Sequence, residues 1–415
     1  MLNTVPERWP VMIFSHGLAG SRNAYSHLAG SVASHGVIVI TAEHRDGSAP
    51  ISYIRDVPGT TANGLKSDGK KSKRTVDYIR IPHTPSPEVE AGRTTQLKIR
   101  LWELGCIYDA LLKIDNGVNL TNLNNSAVHN LHGFKDKMAV HEPGSIIFGG
   151  HSFGAATMVQ LIKSTFYSAQ AVSAPASYEP IFTPSSRSEI TQQITPNTPV
   201  ILLDIWCFPL RIITTRWLWN KPLPCYAKGG PGGCALLAVK SQTFFNWRLH
   251  LKATKRLLSP NPGSDTYKIE DDSRSPPHFF YASASAHLSQ SDFGVLFPWL
   301  TRKVFAAEEP ERVIKLNVRA ILQLLRERHI PVSTTSASDM ELGPEADSET
   351  QDDTLIFSTE SGAIRGWNYL SVNADDLSDV TIDDDSDSDL ESLKTEPMNP
   401  IIDEGVQGAS STVGL

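Results

Sequence analysis

The stretch IIFGGHSFGAAT, residues 146–157, decides the fold. An apolar run ends in three glycines and a serine, and a helix-forming stretch follows. Three glycine signatures compete for it. A phosphate-binding loop has two glycines spaced like Gly149 and Gly154, but needs Lys and then Ser or Thr after the second. Ala155 and Ala156 stand there instead. A dinucleotide fingerprint needs glycine at its third position, and counting from Gly149 that position is His151. What remains is G-x-S-x-G, from Gly150 to Gly154, between a strand and a helix as a nucleophile elbow requires. Ser152 would sit in a strained turn that lifts its Oγ above a sheet. Glycines two residues before and after let strand and helix approach without an intervening Cβ. The helix then points its first N–H groups at the place where an oxyanion would develop.

The flanking pattern agrees. WPVMIFSHG and GVIVITAEHRDGS read as buried strands, short and β-rich, each stopped by a turn signal. The stretch between them has helical spacing and ends on Gly36, so the three make a βαβ unit and imply a parallel sheet. Residues 47–92 are rich in Gly, Pro and Lys and read as a loop insertion. GRTTQLKIRLWELGCIYDALLKIDNG is an amphipathic helix. TPVILLDIW, CALLAVKSQTFF and PPHFFYASASAH supply later strands, and WRLHLKATKRLL, FPWLTRKVFA and PERVIKLNVRAILQLLRERH supply helices. The expectation is an α/β fold with a mostly parallel central sheet and helices on both faces, occupying residues 1–330.

A serine needs a histidine to take its proton and a carboxylate to orient that histidine. In α/β-hydrolases the chain order is Ser, then the acid, then His. His250 and His329 fall in helical stretches. His278 opens a strand and is the second choice, whereas His287 enters the loop AHLSQSDF after that strand and is the expected base. Asp204 ends the run PVILLD, where the acid belongs. FSHGLAG (14–20) follows the first strand, so the N–H of Leu18 joins that of Phe153 as the second oxyanion donor. His16 would shape this loop without titrating in catalysis.

Composition narrows the class further. The net charge of −7 is uneven: residues 331–415 hold 20 acidic and two basic residues, leaving the remainder at +11. That acidic segment, with TIDDDSDSDLES, buries too little apolar surface to order itself and reads as a disordered tail. LIFSTESGAIRGWNYLSV (355–372) could dock, but a solvated tail is preferred. The four cysteines show no disulfide or zinc spacing, and neither a metal nor an organic cofactor is expected. The N-terminus has no basic-then-apolar leader, and no stretch has the ~20 apolar residues of a membrane span. A cytoplasmic chain, peripheral to membranes, is expected. The basic cluster LKSDGKKSKR (65–74) lacks interleaved aromatics, so an anionic membrane surface or substrate suits the basic body better than nucleic acid.

VMIFSHGLAGSRNAYSHLAGSVASHGVIVITAEHRDGSAP, GGHSFGAAT, LLDIWCFPL and AHLSQSDF together resemble the platelet-activating-factor acetylhydrolases of the plasma and intracellular type II class, particularly the fungal ones. The resemblance implies a calcium-independent serine esterase of phospholipase A2 type that releases acetyl or short sn-2 acyl groups from glycerophospholipids. It implies Ser152 as nucleophile, Asp204 as acid and His287 as base, with Leu18 and Phe153 at the oxyanion hole. EHRDGS (43–48) matches a family signature and is expected to be structural, its charges paired near the sheet edge. Two departures stand out. Family members usually carry about a hundred residues before the FSHGL strand, including the first strands of the sheet, so either those strands are missing here or a different segment fills the sheet edge. The insertion 211–234 carries Trp217, Trp219 and basic residues, and reads either as a membrane-interface element or as a packing loop over the acyl pocket. A general short-chain carboxylesterase, and a hydrolase-fold binding protein without turnover, are the alternatives.

Overall fold

The computed structural model describes residues 7–55, 74–123, 131–264, 274–305, 307–337, 339–340 and 353–373. Among them the strands are β1 (Val11–Ser15), β2 (Ile38–Thr41), β3 (Ile51–Ile54), β4 (Arg74–Asp77), β5 (Ile146–His151), β6 (Val200–Leu203), β7 (Leu236–Ser241), β8 (His278–Ala282) and β9 (Trp367–Tyr369). Seven form one sheet in the order β2-β1-β5-β6-β7-β8-β9, while β3 and β4 pair apart from it. Every pair in the large sheet is parallel except β8 with β9.

Strand alternation builds two cores. Val11, Ile13, Ile146 and Phe148 face one side, which is covered by helices α2 (Pro87–Asp115), α3 (Phe153–Phe166) and α4 (Arg248–Leu258). Met12, Phe14 and Ile147 face the other, beneath α1 (Ser26–Ser34) and α5 (Pro310–Glu327). Burial on both faces explains why the central strands read as unbroken apolar runs. It also confirms the expected α/β architecture.

Two expectations are corrected. Residues 47–92 are not all loop. β3 and β4 form an antiparallel hairpin there, and α2 begins at Pro87, with Ser86 accepting the Val89 N–H at its N-cap. Of the basic cluster 65–74 between the two strands, all but Arg74, which opens β4, lies outside the described residues. Nor is the chain from 331 onward simply a solvated tail. Residues 353–373 dock along the β8 edge, with Trp367 opposite Ala282 and Tyr369 opposite Phe280. Ile356 and Trp367 are buried, and Asp353 grips Arg319 through bonds of 2.6 and 3.1 Å. The aromatic run offsets the ordering cost that the acidic composition suggested. Residues 374–415, including TIDDDSDSDLES, lie outside the described residues.

The insertion 211–234 turns most of its apolar residues inward, with Ile213 left 62% exposed. Leu218, Trp219, Leu223, Cys225 and Tyr226 are buried, all but Leu218 in the core beneath α3, and Trp217 leans on Tyr178 with ring centroids 4.8 Å apart. The tryptophans therefore serve packing rather than a membrane face.

Candidate active site

Ser152 stands between β5 and α3 with φ +55° and ψ −118°, a strained conformation outside the ordinary basins. The glycines on either side are sterically required. A Cβ on Gly154 would lie 2.0 Å from the Ser15 carbonyl oxygen, and one on Gly150 would lie 2.5 Å from the Gly154 backbone. The elbow anticipated from the sequence is present.

Asp204 follows the C-terminal end of β6, in a neighbouring strand position, and is fully buried. Its two carboxylate oxygens are both engaged. Oδ1 accepts the Ser241 N–H at 2.7 Å, and Oδ2 lies 3.0 Å from His287 Nδ1. His287 opens the turn after β8, and its ring lies between two others. Phe244 stacks on it at 4.3 Å and 7°, and the His151 ring centroid is also 4.3 Å away. This packing and the Asp204 bond together set the ring's orientation. Ser152 Oγ and the His287 ring make no hydrogen bond in this state; such bonds commonly tighten only around a bound substrate. His278, the second choice as base, is 3.1 Å from Glu327 and stacked under Phe357, so it belongs to the docked C-terminal segment. His250 accepts the Cys207 N–H at 3.0 Å, a packing role.

The Leu18 loop lies against Ser152, since a Cβ on Gly17 would come within 3.1 Å of Ser152 Cβ. Phe153 begins α3, where the first N–H groups lack intrahelical acceptors. Neither its N–H nor that of Leu18 takes a partner among the described residues. His16 is buried and pushed down to about 3 by desolvation, with Nδ1 donating to the Gly17 carbonyl at 2.8 Å. It stays neutral and shapes the loop, as anticipated.

Sequence reasoning missed what holds that loop. Arg100 of α2 is fully buried; Nε meets Asp46 at 2.6 Å, and Nη1 donates to the His16 carbonyl at 2.8 Å and Nη2 to Ser48 Oγ. Ser48 in turn accepts the Ala19 N–H through its carbonyl at 2.8 Å. Burial alone would raise the Asp46 carboxyl, but Arg100 and Ser48 hold it below the usual range. An arginine on the apolar stripe of α2, between Leu97 and Leu104, was the available signal, because a charge there must find a buried partner. His151 was missed as well. Its Nδ1 meets the Tyr25 hydroxyl at 2.8 Å, and that hydroxyl accepts the Gly17 N–H at 3.0 Å. One phenol thus joins the Leu18 loop to the ring against His287. Burial, then the neighbouring His287, holds His151 well below the usual histidine range.

Among the described residues, His151, Asp204 and His287 place one donor atom each within 4.8 Å of one another. Two imidazoles and a single carboxylate do not match the six to eight oxygens that a calcium ion gathers.

The sheet order, the elbow and the acid at a neighbouring strand end define an α/β-hydrolase. Residues 1–223 match the family described as platelet-activating factor acetylhydrolase, isoform II, and the chain belongs to that family. It is 27% identical over 345 residues to a putative phospholipase A2 of Schizosaccharomyces pombe, covering 77% of this chain and 68% of that one. Platelet-activating factor acetylhydrolases of Cavia porcellus and Bos taurus are 35% and 34% identical over 160 and 157 residues. The chain spans about two thirds of the fungal relative and 32% of either animal one. Among solved structures, a ferulic acid esterase from Streptomyces cinnamoneus aligns at a TM-score of 0.41 and 12% identity, over 88% of this chain and 74% of that one.

Proposed function

We propose that the chain is a calcium-independent serine esterase of phospholipase A2 type, hydrolysing the sn-2 acetyl or short acyl ester of platelet-activating factor and related glycerophospholipids. The observation that carries this reading is the His287–Asp204 pair at 3.0 Å on the same edge of the sheet as the strained Ser152. Ser152 Oγ attacks the ester carbonyl while His287 Nε2 takes its proton. The oxyanion is held by the N–H groups of Leu18 and Phe153. Collapse expels the sn-2 alkoxide, which recovers the proton from His287. Water, activated by the same ring, then releases the acyl group as a carboxylic acid. Family membership supports the lipid ester as substrate.

Peripheral contact with a lipid surface fits this reading. Leu296, Phe297 and Trp299, just beyond His287, are 68, 51 and 70% exposed, and Arg302 and Lys303 follow them.

Fluorophosphonate labelling of the purified chain beside Ser152→Ala tests the proposal, with the adduct mapped and short-chain phospholipid hydrolysis followed in chelator. Labelling at Ser152 alone and chelator-resistant turnover are expected. A folded chain that takes no label, or turnover that requires calcium, would overturn it.

A further inference from the structure

The signature EHRDGS (43–48) divides by side. His44, Asp46 and Ser48 point inward and are buried, and Asp46 and Ser48 bond Arg100 directly. Glu43 is half-buried and Arg45 exposed, and both line a cavity of ≈780 Å³. Among the described residues, Arg22, Arg45, Arg55 and Arg74 line that cavity against one acidic residue, Glu43, with Tyr53 on its wall.

The cations are not equally committed. Arg22 reaches Glu43 only at 4.0 Å, and Arg55 donates to the Leu123 carbonyl at 2.8 Å. Arg45 is held by its backbone, whose N–H donates to Glu103 Oε1 at 3.1 Å, while its guanidinium makes no hydrogen bond or ion pair among the described residues. A wall with this excess of positive charge calls for an anion, and guanidinium forks favour phosphate oxygens. Tyr53, 60% exposed, adds a surface for an adjoining apolar or cationic group.

Position ties the cavity to the chemistry. Glu43 and Arg45 follow the C-terminal end of β2, Leu18 follows that of β1 and Ser152 that of β5. These are consecutive neighbours in the sheet. Open α/β sheets bind ligands beyond this edge. At ~4.8 Å per strand, the cavity wall begins about 10 Å from the nucleophile.

We propose that this cavity takes the phosphate of the substrate, with Arg45 and Arg22 as its principal ligands. This rests on the esterase reading and adds a phosphate requirement to it. The headgroup phosphodiester and free phosphate share the same chemistry, so the test separates them. Steady-state kinetics of the full chain, of Arg45→Gln and of Arg45→Glu are measured on a monomeric short-chain phosphatidylcholine and on p-nitrophenyl butyrate. The ratio of kcat/KM for the phospholipid to that for the neutral ester is expected to fall about tenfold in Arg45→Gln, mostly through KM, and further in Arg45→Glu. Arg45→Lys recovers part of it. An unchanged ratio overturns the assignment. If Arg45 variants fail to fold, Arg22→Gln supplies the same comparison.

The two readings fail differently. A chain that hydrolyses neither ester contradicts the esterase proposal, and the cavity is then judged by titrating the full chain with glycerophosphocholine and with inorganic phosphate. Glycerophosphocholine binding that is lost in Arg45→Glu supports the cavity. Binding of inorganic phosphate alone, or of neither, overturns the headgroup assignment.

Discussion

Asp204 shows how much one side chain is asked to do. Buried, with φ +42°, it orients His287 through one oxygen and is itself held by the Ser241 amide through the other. In Asp204→Asn the shape persists but an amide can present its NH₂ to Nδ1 and select the wrong tautomer. A loss in kcat of roughly 10⁴-fold is expected, read from phospholipid turnover or from the rate of fluorophosphonate labelling. A loss below tenfold would remove Asp204 from the orienting role. Gly150 and Gly154 are as strictly determined, though by contact with backbone rather than by chemistry.

Helix α2 and the chain after β2 brace the Leu18 loop from behind. His44 Nδ1 lies 2.8 Å from Glu103 Oε2 and its Nε2 lies 2.8 Å from Ser15 Oγ, next to the buried Arg100–Asp46 pair. Burial pushes the Glu103 carboxyl up to about 7. The folded chain therefore keeps a proton that the unfolded chain gives up near its ordinary value of 4.5. The stabilisation this represents is complete below that value and lost as pH rises through about 7. Melting temperature is expected to fall more between pH 5 and pH 8 in the native chain than in Glu103→Gln, which cannot titrate. Parallel pH profiles for the two would show that Glu103 titrates as it does in the unfolded chain. The start of α2 is legible in the sequence: Ser86 as cap, Pro87 at the first position and Glu88 and Glu90 in the first turn are a helix-start pattern.

For the molecule as a whole, the sheet is completed by a segment far along the chain. Residues 353–373 cross the β8 edge, cover unpaired strand groups and pair Asp353 with Arg319 of α5, whose side chains are 2% and 5% exposed. Removing one member of such a pair leaves a buried charge and costs about 3–5 kcal/mol. Asp353→Ala is expected to lose stability of that order in denaturant unfolding, whereas Glu360→Ala, at an exposed position of the same segment, is expected to leave it unchanged. Equal effects from the two changes would deny the segment its bracing role. The acidic residues around this segment hid it, because composition averages over a window much longer than the three residues of β9.

The sequence alone determined the elbow, the parallel βαβ core, and the strand ends that carry Asp204 and His287. Each follows from rules that act within a few residues: glycine where a Cβ cannot fit, an apolar run where a strand is covered on both faces, a chain order shared by the α/β-hydrolases. Only the tertiary structure decided that Arg100 answers Asp46, that Trp219 packs inward, that Trp367 closes the sheet edge, and that four arginines share one cavity. Those outcomes depend on which distant surfaces meet. A buried charge or an aromatic side chain is stable in any of several partnerships, and the packed fold selects one.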